Sequence, residues 1–104
     1  MVVPEFDADG YPTDRTLDAI QHWHIQSLEH CADLLSFCIE AWKYDVTHEA
    51  WFYEFNTGGW SGNEDIMAAM QKNWLFWALA WISSERGGRY RFTLNFPQPK
   101  EKDL

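Results

Sequence analysis

Between Ile66 and Ile82 the chain is apolar on nearly every side of a helical turn, interrupted only by Gln71, Lys72 and Asn73. A helix that is apolar all round has no face to give to water, so it must be buried on several sides. In a chain of 104 residues, one domain's worth, such a rod is expected to be the centre of the core or of an oligomer. Its ends carry stop signals. Ser61 followed by Glu64 gives S-x-x-E, a capping box in which each side chain satisfies the other's backbone N–H. Gly87 is placed to supply a left-handed C-terminal cap.

The flanks change period. Residues 50–56, AWFYEFN, read as a strand with Trp51, Tyr53 and Phe55 on one face. After Gly87-Gly88, residues Tyr90, Phe92, Leu94 and Phe96 alternate with Arg89, Arg91, Thr93 and Asn95, a half-buried strand with a basic outer face that Pro97 ends. Short connections to the helix predict a β-α-β unit with parallel strands and a right-handed crossover. Two strands are marginal alone, so helix packing, a third strand or a second copy must complete the sheet.

The stripe Leu17, Ile20, His24, Leu28, Cys31, Leu35, Cys38 and Trp42 predicts one long first helix from Thr13–Asp14 to Tyr44. Residues 1–13 are an irregular lead-in, broken by Pro4, Gly10 and Pro12. Residues 97–104 are expected to fray. The expected fold class is α+β, a single domain: a long N-terminal helix, then a strand–helix–strand unit around a buried Trp-rich central helix.

Charge narrows the partners. Residues 1–85 hold fourteen acids and three bases, and residues 86–104 hold two acids and five bases, for a net charge of −8. An acidic body argues against direct nucleic-acid binding, which depends on Lys and Arg contacts to phosphate, and fits a partner with a basic surface. No basic segment followed by a long apolar run opens the chain. The longest apolar run, WLFWALAWI, has nine residues, against about 20 for a bilayer span. No membrane association and a cytoplasmic location are expected. The seven tryptophans serve either a core or an interface, where Trp is enriched.

The candidate binding residues cluster at TGGWSG. Gly58 and Gly59 let backbone approach a ligand, and Ser61 and Asn63 open a helix whose unpaired N–H groups favour an anion. Trp60 is alternatively a protein-docking knob. Arg86, Arg89 and Arg91 are the available cations. Arg86 would stand about 35 Å away at the far end of a straight helix, so a second chain would have to bring the arginines in. The loop lacks a P-loop lysine and the G-x-G-x-x-G pattern. Strand–helix punctuation is the plain alternative.

Cys31 and Cys38, seven apart on one helix, are separated by about 10.5 Å of rise, too far for a disulfide. They are expected to be buried thiols. His22, His24 and His30 are too spread along a helix to hold one metal ion. No Ser, Cys or acid pair is selected by spacing as a catalytic group, so no catalytic residue, cofactor or metal is expected.

The run EFNTGGWSGNEDIMAAMQKNWLFWALAW, followed by SSERGGRYRF, resembles short proteins of phages and prophages that carry a TGGWSGNE turn, an aromatic helix and a Gly-Gly step into a strand. The resemblance spans about residues 53–93. It implies a genetic context and no catalytic residues. The expectation is a non-enzymatic phage accessory protein that binds and modulates a host or defence protein. The alternatives are a small anionic-ligand module using residues 57–63 and a homo-oligomeric assembly protein.

Overall fold

The computed structural model describes residues 3–94. The expected continuation of the last strand through Phe96 and the tail at 97–104 lie outside them. Four helices, α1 (Asp14–Gln21), α2 (Leu28–Ala41), α3 (Ser61–Lys72) and α4 (Trp74–Ala80), accompany four strands, β1 (Val46–Glu49), β2 (Phe52–Asn56), β3 (Trp81–Glu85) and β4 (Arg89–Thr93). The sheet is antiparallel throughout, in the order β1-β2-β4-β3. The α+β class holds. The long first helix, the parallel β-α-β unit and the single central rod do not.

The first helix breaks because its middle has better partners elsewhere. Ser27 caps α2 by accepting from the His30 N–H at 3.4 Å, while His30 Nδ1 accepts from the Gln26 N–H at 2.9 Å. The arrangement is a relative of the capping box, with the His30 ring reaching back one residue beyond the cap to the Gln26 N–H. On the other side of the break, the Asn73 carboxamide donates to the carbonyls of Ile20 and Trp23, both at 3.1 Å. Orphan carbonyls at the end of α1 are thereby satisfied. Thr13 caps α1 by accepting from the Thr16 N–H at 3.2 Å. The lead-in is anchored to it, because Thr16 Oγ1 bonds both the N–H and the carbonyl of Glu5.

The predicted rod breaks twice, without glycine or proline. Asn73 ends α3 and caps α4, its Oδ1 accepting from the Phe76 N–H at 3.3 Å. At Trp81 the backbone turns extended, and β3 begins. Trp81 stands opposite Phe92 in the ladder and stacks on Trp77 at 5.9 Å. A β-bulge falls between Trp81 and Ser83. Gly87 therefore caps no helix. It and Gly88, at φ 88° and 83°, turn a β3–β4 hairpin. β1, which lies outside the two expected strands, pairs with β2 through a turn in which Ala50 adopts φ 51°.

The core lies between the helices and one face of the sheet. Cys31, Leu34, Leu35 and Cys38 of α2, Ile66 and Met70 of α3, and Phe76 of α4 meet Phe55 and Phe92, all fully enclosed. Phe92 is the hub, with Phe55, Phe76 and Trp77 rings centred within 5.7 Å of it. Glu54, Asn56, Arg89 and Arg91 alternate with these core residues and face the other way.

Candidate functional site

The loop after β2 is knotted by its own polar groups. Thr57 is buried; its N–H donates to the Gly88 carbonyl at 3.0 Å and its carbonyl accepts from the Trp60 N–H at 3.1 Å. The fully buried Asn63 donates from Nδ2 to that same Thr57 carbonyl at 3.0 Å and accepts from the Lys43 N–H at 3.2 Å. Asn63 thus ties the end of α2 to the start of α3. Gly58, at φ 63°, lies against the Tyr44 ring, where any Cβ would collide. Gly59 faces open space.

Trp60, not Ser61, is the residue before the first turn of α3, and no side chain caps that turn. The expected capping box does not form. The Ser61 hydroxyl instead lies 3.4 Å from the Tyr11 hydroxyl. The Trp60 indole packs on Tyr11 with centroids 5.2 Å apart, carries the Lys43 ammonium 4.7 Å from its ring centre, and covers Gly62 so closely that a Cβ there would strike it. Trp60 is half-buried, and the backbone at Gly62 and Asn63 is buried with it.

The arginines come to this region within one chain, against the 35 Å separation expected of a straight helix. The β3–β4 hairpin folds back, so Arg89 pairs with Asn56 and Gly88 touches Thr57. Their charge goes elsewhere, however. On the outer sheet face Arg91 Nε meets Glu54 at 3.0 Å and its Nη1 meets Glu85, while Arg89 meets Glu54 at 3.6 Å and Glu85 at 3.4 Å. The Arg91 hydrogen bond, ahead of the charges of both arginines, holds the Glu54 carboxyl below its usual range. Arg86 is exposed at the hairpin turn. Gly58, Gly59, Trp60, Ser61 and Asn63 thus share one loop, and Arg89 and Arg91 belong to an ionic lattice on the sheet.

Cys31 and Cys38 are free, buried thiols, and burial pushes both pKa values up. Among the described residues no three His, Cys, Asp or Glu side chains converge to hold a metal, and no helix is long and apolar enough to cross a membrane. His22 contacts Asp18, and His24 lies beside His30 with rings 5.4 Å apart.

Two further surfaces lie away from the candidate loop, an acidic one that the helical period already placed outward and an apolar one that it did not. Along α2, Glu29, Asp33 and Glu40 form one exposed row at helical spacing; among the described residues none of the three takes part in an ion pair, the paired acids being Glu5, Asp18, Glu54 and Glu85. The second surface is apolar. Trp74 is 73% exposed, and Leu75, Leu79, Trp81 and Ile82 lie between 43% and 48%. The signal for it was Asn73, a strong N-cap residue: a helix restarting there turns different side chains inward. A hollow of about 210 Å³ lies beside Trp74, lined also by Gln21, His22, Lys72, Asn73 and Leu75, smaller than the usual ligand pocket of about 300–1,000 Å³. Comparison with family models, with curated proteins and with solved structures finds no match.

Proposed function

We propose that this is a non-enzymatic interaction protein that docks a basic surface of another protein through its acidic helical face. The observation that carries the reading is the row Glu29, Asp33 and Glu40, spread over three turns of α2, exposed and without ion-pair partners among the described residues. A row of like charges facing water raises the chain's own electrostatic self-repulsion. The same row gains most from a cationic partner, in association rate and specificity above all. The resemblance to phage and prophage proteins supplies a setting: an accessory factor in the host cytoplasm that modulates a host or defence protein.

The loop at 57–63 gives the anionic-ligand reading less support. Its carbonyls and amide side chain bond to one another, the indole of Trp60 lies on Gly62, and Arg89 and Arg91 are held by carboxylates.

Capture from host lysate tests the proposal. The wild-type chain is expected to retain a stoichiometric basic protein, and Glu29→Lys/Asp33→Lys/Glu40→Lys to lose it while keeping the same circular dichroism. Raising salt from 50 to 300 mM is expected to slow association, because the Debye length shrinks. Capture that survives the triple reversal, or no basic partner at all, defeats the reading.

A further inference from the structure

The unbroken stretch from Trp74 to Ser84 contains no charged residue, in a chain of net charge −8. It covers all of α4 and most of β3. β3 is an edge strand, since the sheet order leaves it paired only with β4. An edge strand offers a row of backbone N–H and C=O groups to another chain. Native edges are commonly guarded by an inward charge, a Lys or a Pro. Here the one charged residue of β3, Glu85, is held by Arg89 and Arg91 of its own chain. Among the described residues the guarding feature on the strand is the bulge between Trp81 and Ser83.

We infer that the α4–β3 face is a homodimer interface, in which two copies meet about a two-fold axis perpendicular to β3 with Trp74, Leu75, Leu79, Trp81 and Ile82 of each covering those of the other. Three observations select a second copy over other occupants. The first is charge: two strongly acidic molecules can approach closely only where they carry none, and this is the uncharged face. A basic partner finds no acid between Trp74 and Ser84, and an anionic lipid surface finds the single lysine at its margin, Lys72 beside Trp74. The second is area. Trp74, Leu75, Leu79, Trp81 and Ile82 leave about 500 Å² of apolar surface in water, taking roughly 150–250 Å² for a whole large ring. A standard interface takes about 800 Å² from each partner, and homodimer interfaces are about 65% apolar, which asks for the same amount. The third is symmetry: a single strand edge flanked by its own apolar helix presents both halves of an isologous contact. The inference does not depend on the acidic-face reading, because the two surfaces are separate.

Sedimentation equilibrium on the full chain between 5 and 200 µM (about the range where contacts of this size titrate) tests it. Wild type is expected at twice the 12.3 kDa chain mass. Ile82→Lys and Leu79→Glu are each expected to weaken association at least tenfold with unchanged circular dichroism. Trp74→Ala, at the most exposed of these side chains, repeats the test should either charge disturb folding. A wild-type monomer across the range overturns the inference, whether the face is left bare or covered by residues 95–104. So does a dimer that all three variants leave intact. Loss of the dimer in Ile82→Lys with lysate capture retained separates this surface from the acidic one.

Discussion

The carboxamide of Asn73 reaches back 53 residues to donate to the carbonyl of Ile20 at 3.1 Å. From the same nitrogen it donates to Trp23, and its oxygen accepts from the Phe76 N–H. One buried side chain thus closes the end of α1 and starts α4. Asn73→Ala removes all three bonds, leaving the Ile20 carbonyl only the Trp23 N–H at 3.3 Å and the Trp23 carbonyl and Phe76 N–H without this partner, so it is expected to cost about 2–4 kcal/mol. Asn73→Asp, which replaces the donor by a carboxylate facing two carbonyls, is expected to cost more at neutral pH. Urea midpoints of the two variants against wild type give both values.

Gly88 and Thr57 are a second such pair. At Gly88, φ is 83°, and a Cβ would be driven into Thr57 Oγ1. Gly87 has φ 88° but open space around it. Gly87→Ala is expected to cost about 1 kcal/mol from backbone conformation alone. Gly88→Ala adds a steric term and is expected to cost about 2–4 kcal/mol. Equal losses in thermal or urea melts would show that Thr57 does not hold the hairpin.

Glu54 sets an acid limit on stability. Its folded pKa lies below the ordinary value of 4.5, chiefly through the Arg91 hydrogen bond. A depressed carboxylate contributes stability that is fully present above its unfolded pKa and is lost as pH falls through the folded one. Wild type is therefore expected to melt higher than Glu54→Gln at pH 7, the difference closing below pH 4.5 and shrinking in high salt. Because Glu54 is partly exposed, the gap at neutral pH is expected to be a few degrees at most.

The two thiols report on α2. Both Cys31 and Cys38 are fully enclosed, with pKa values raised by burial. A disulfide reagent at pH 8 is expected to label them roughly a hundredfold or more slowly in the native protein than in denaturant, where two equivalents react at once. Fast labelling of native protein would place α2 outside the core.

Much of the fold was legible where period and burial agree. The alternation Tyr90, Phe92, Leu94 predicted a strand, and Arg89–Thr93 form one, with Leu94 just beyond it and buried. Cys31 and Cys38 were read as core, and both are. What failed did so for tertiary reasons. The stripe from Leu17 to Trp42 is continuous in helical phase, and nothing within residues 13–44 announces that Asn73 will take the carbonyls at its middle. The segment from Trp81 to Glu85 has no glycine or proline before it, so helical period carried on past the true end of α4. Gly87-Gly88 was noticed but assigned to a helix end, although a positive φ serves a hairpin equally well. At the candidate loop, glycines suggested access; what they permit is close packing against Tyr44, Trp60 and Thr57. The exposed apolar surface from Trp74 to Ile82 follows from those breaks and was invisible without them, whereas Glu29, Asp33 and Glu40 lay outside the apolar stripe from the start.

Residues 63–86 hold neither glycine nor proline, yet they pass from helix to helix to strand. No stereochemical stop is written into that backbone, so its shape is imposed by its surroundings: Asn73 bonding to α1, and β4 drawing Trp81 into register. Cut free as a peptide in a helix-promoting solvent, this segment should wind into one uninterrupted spiral, and only the company of the remaining chain makes it unwind.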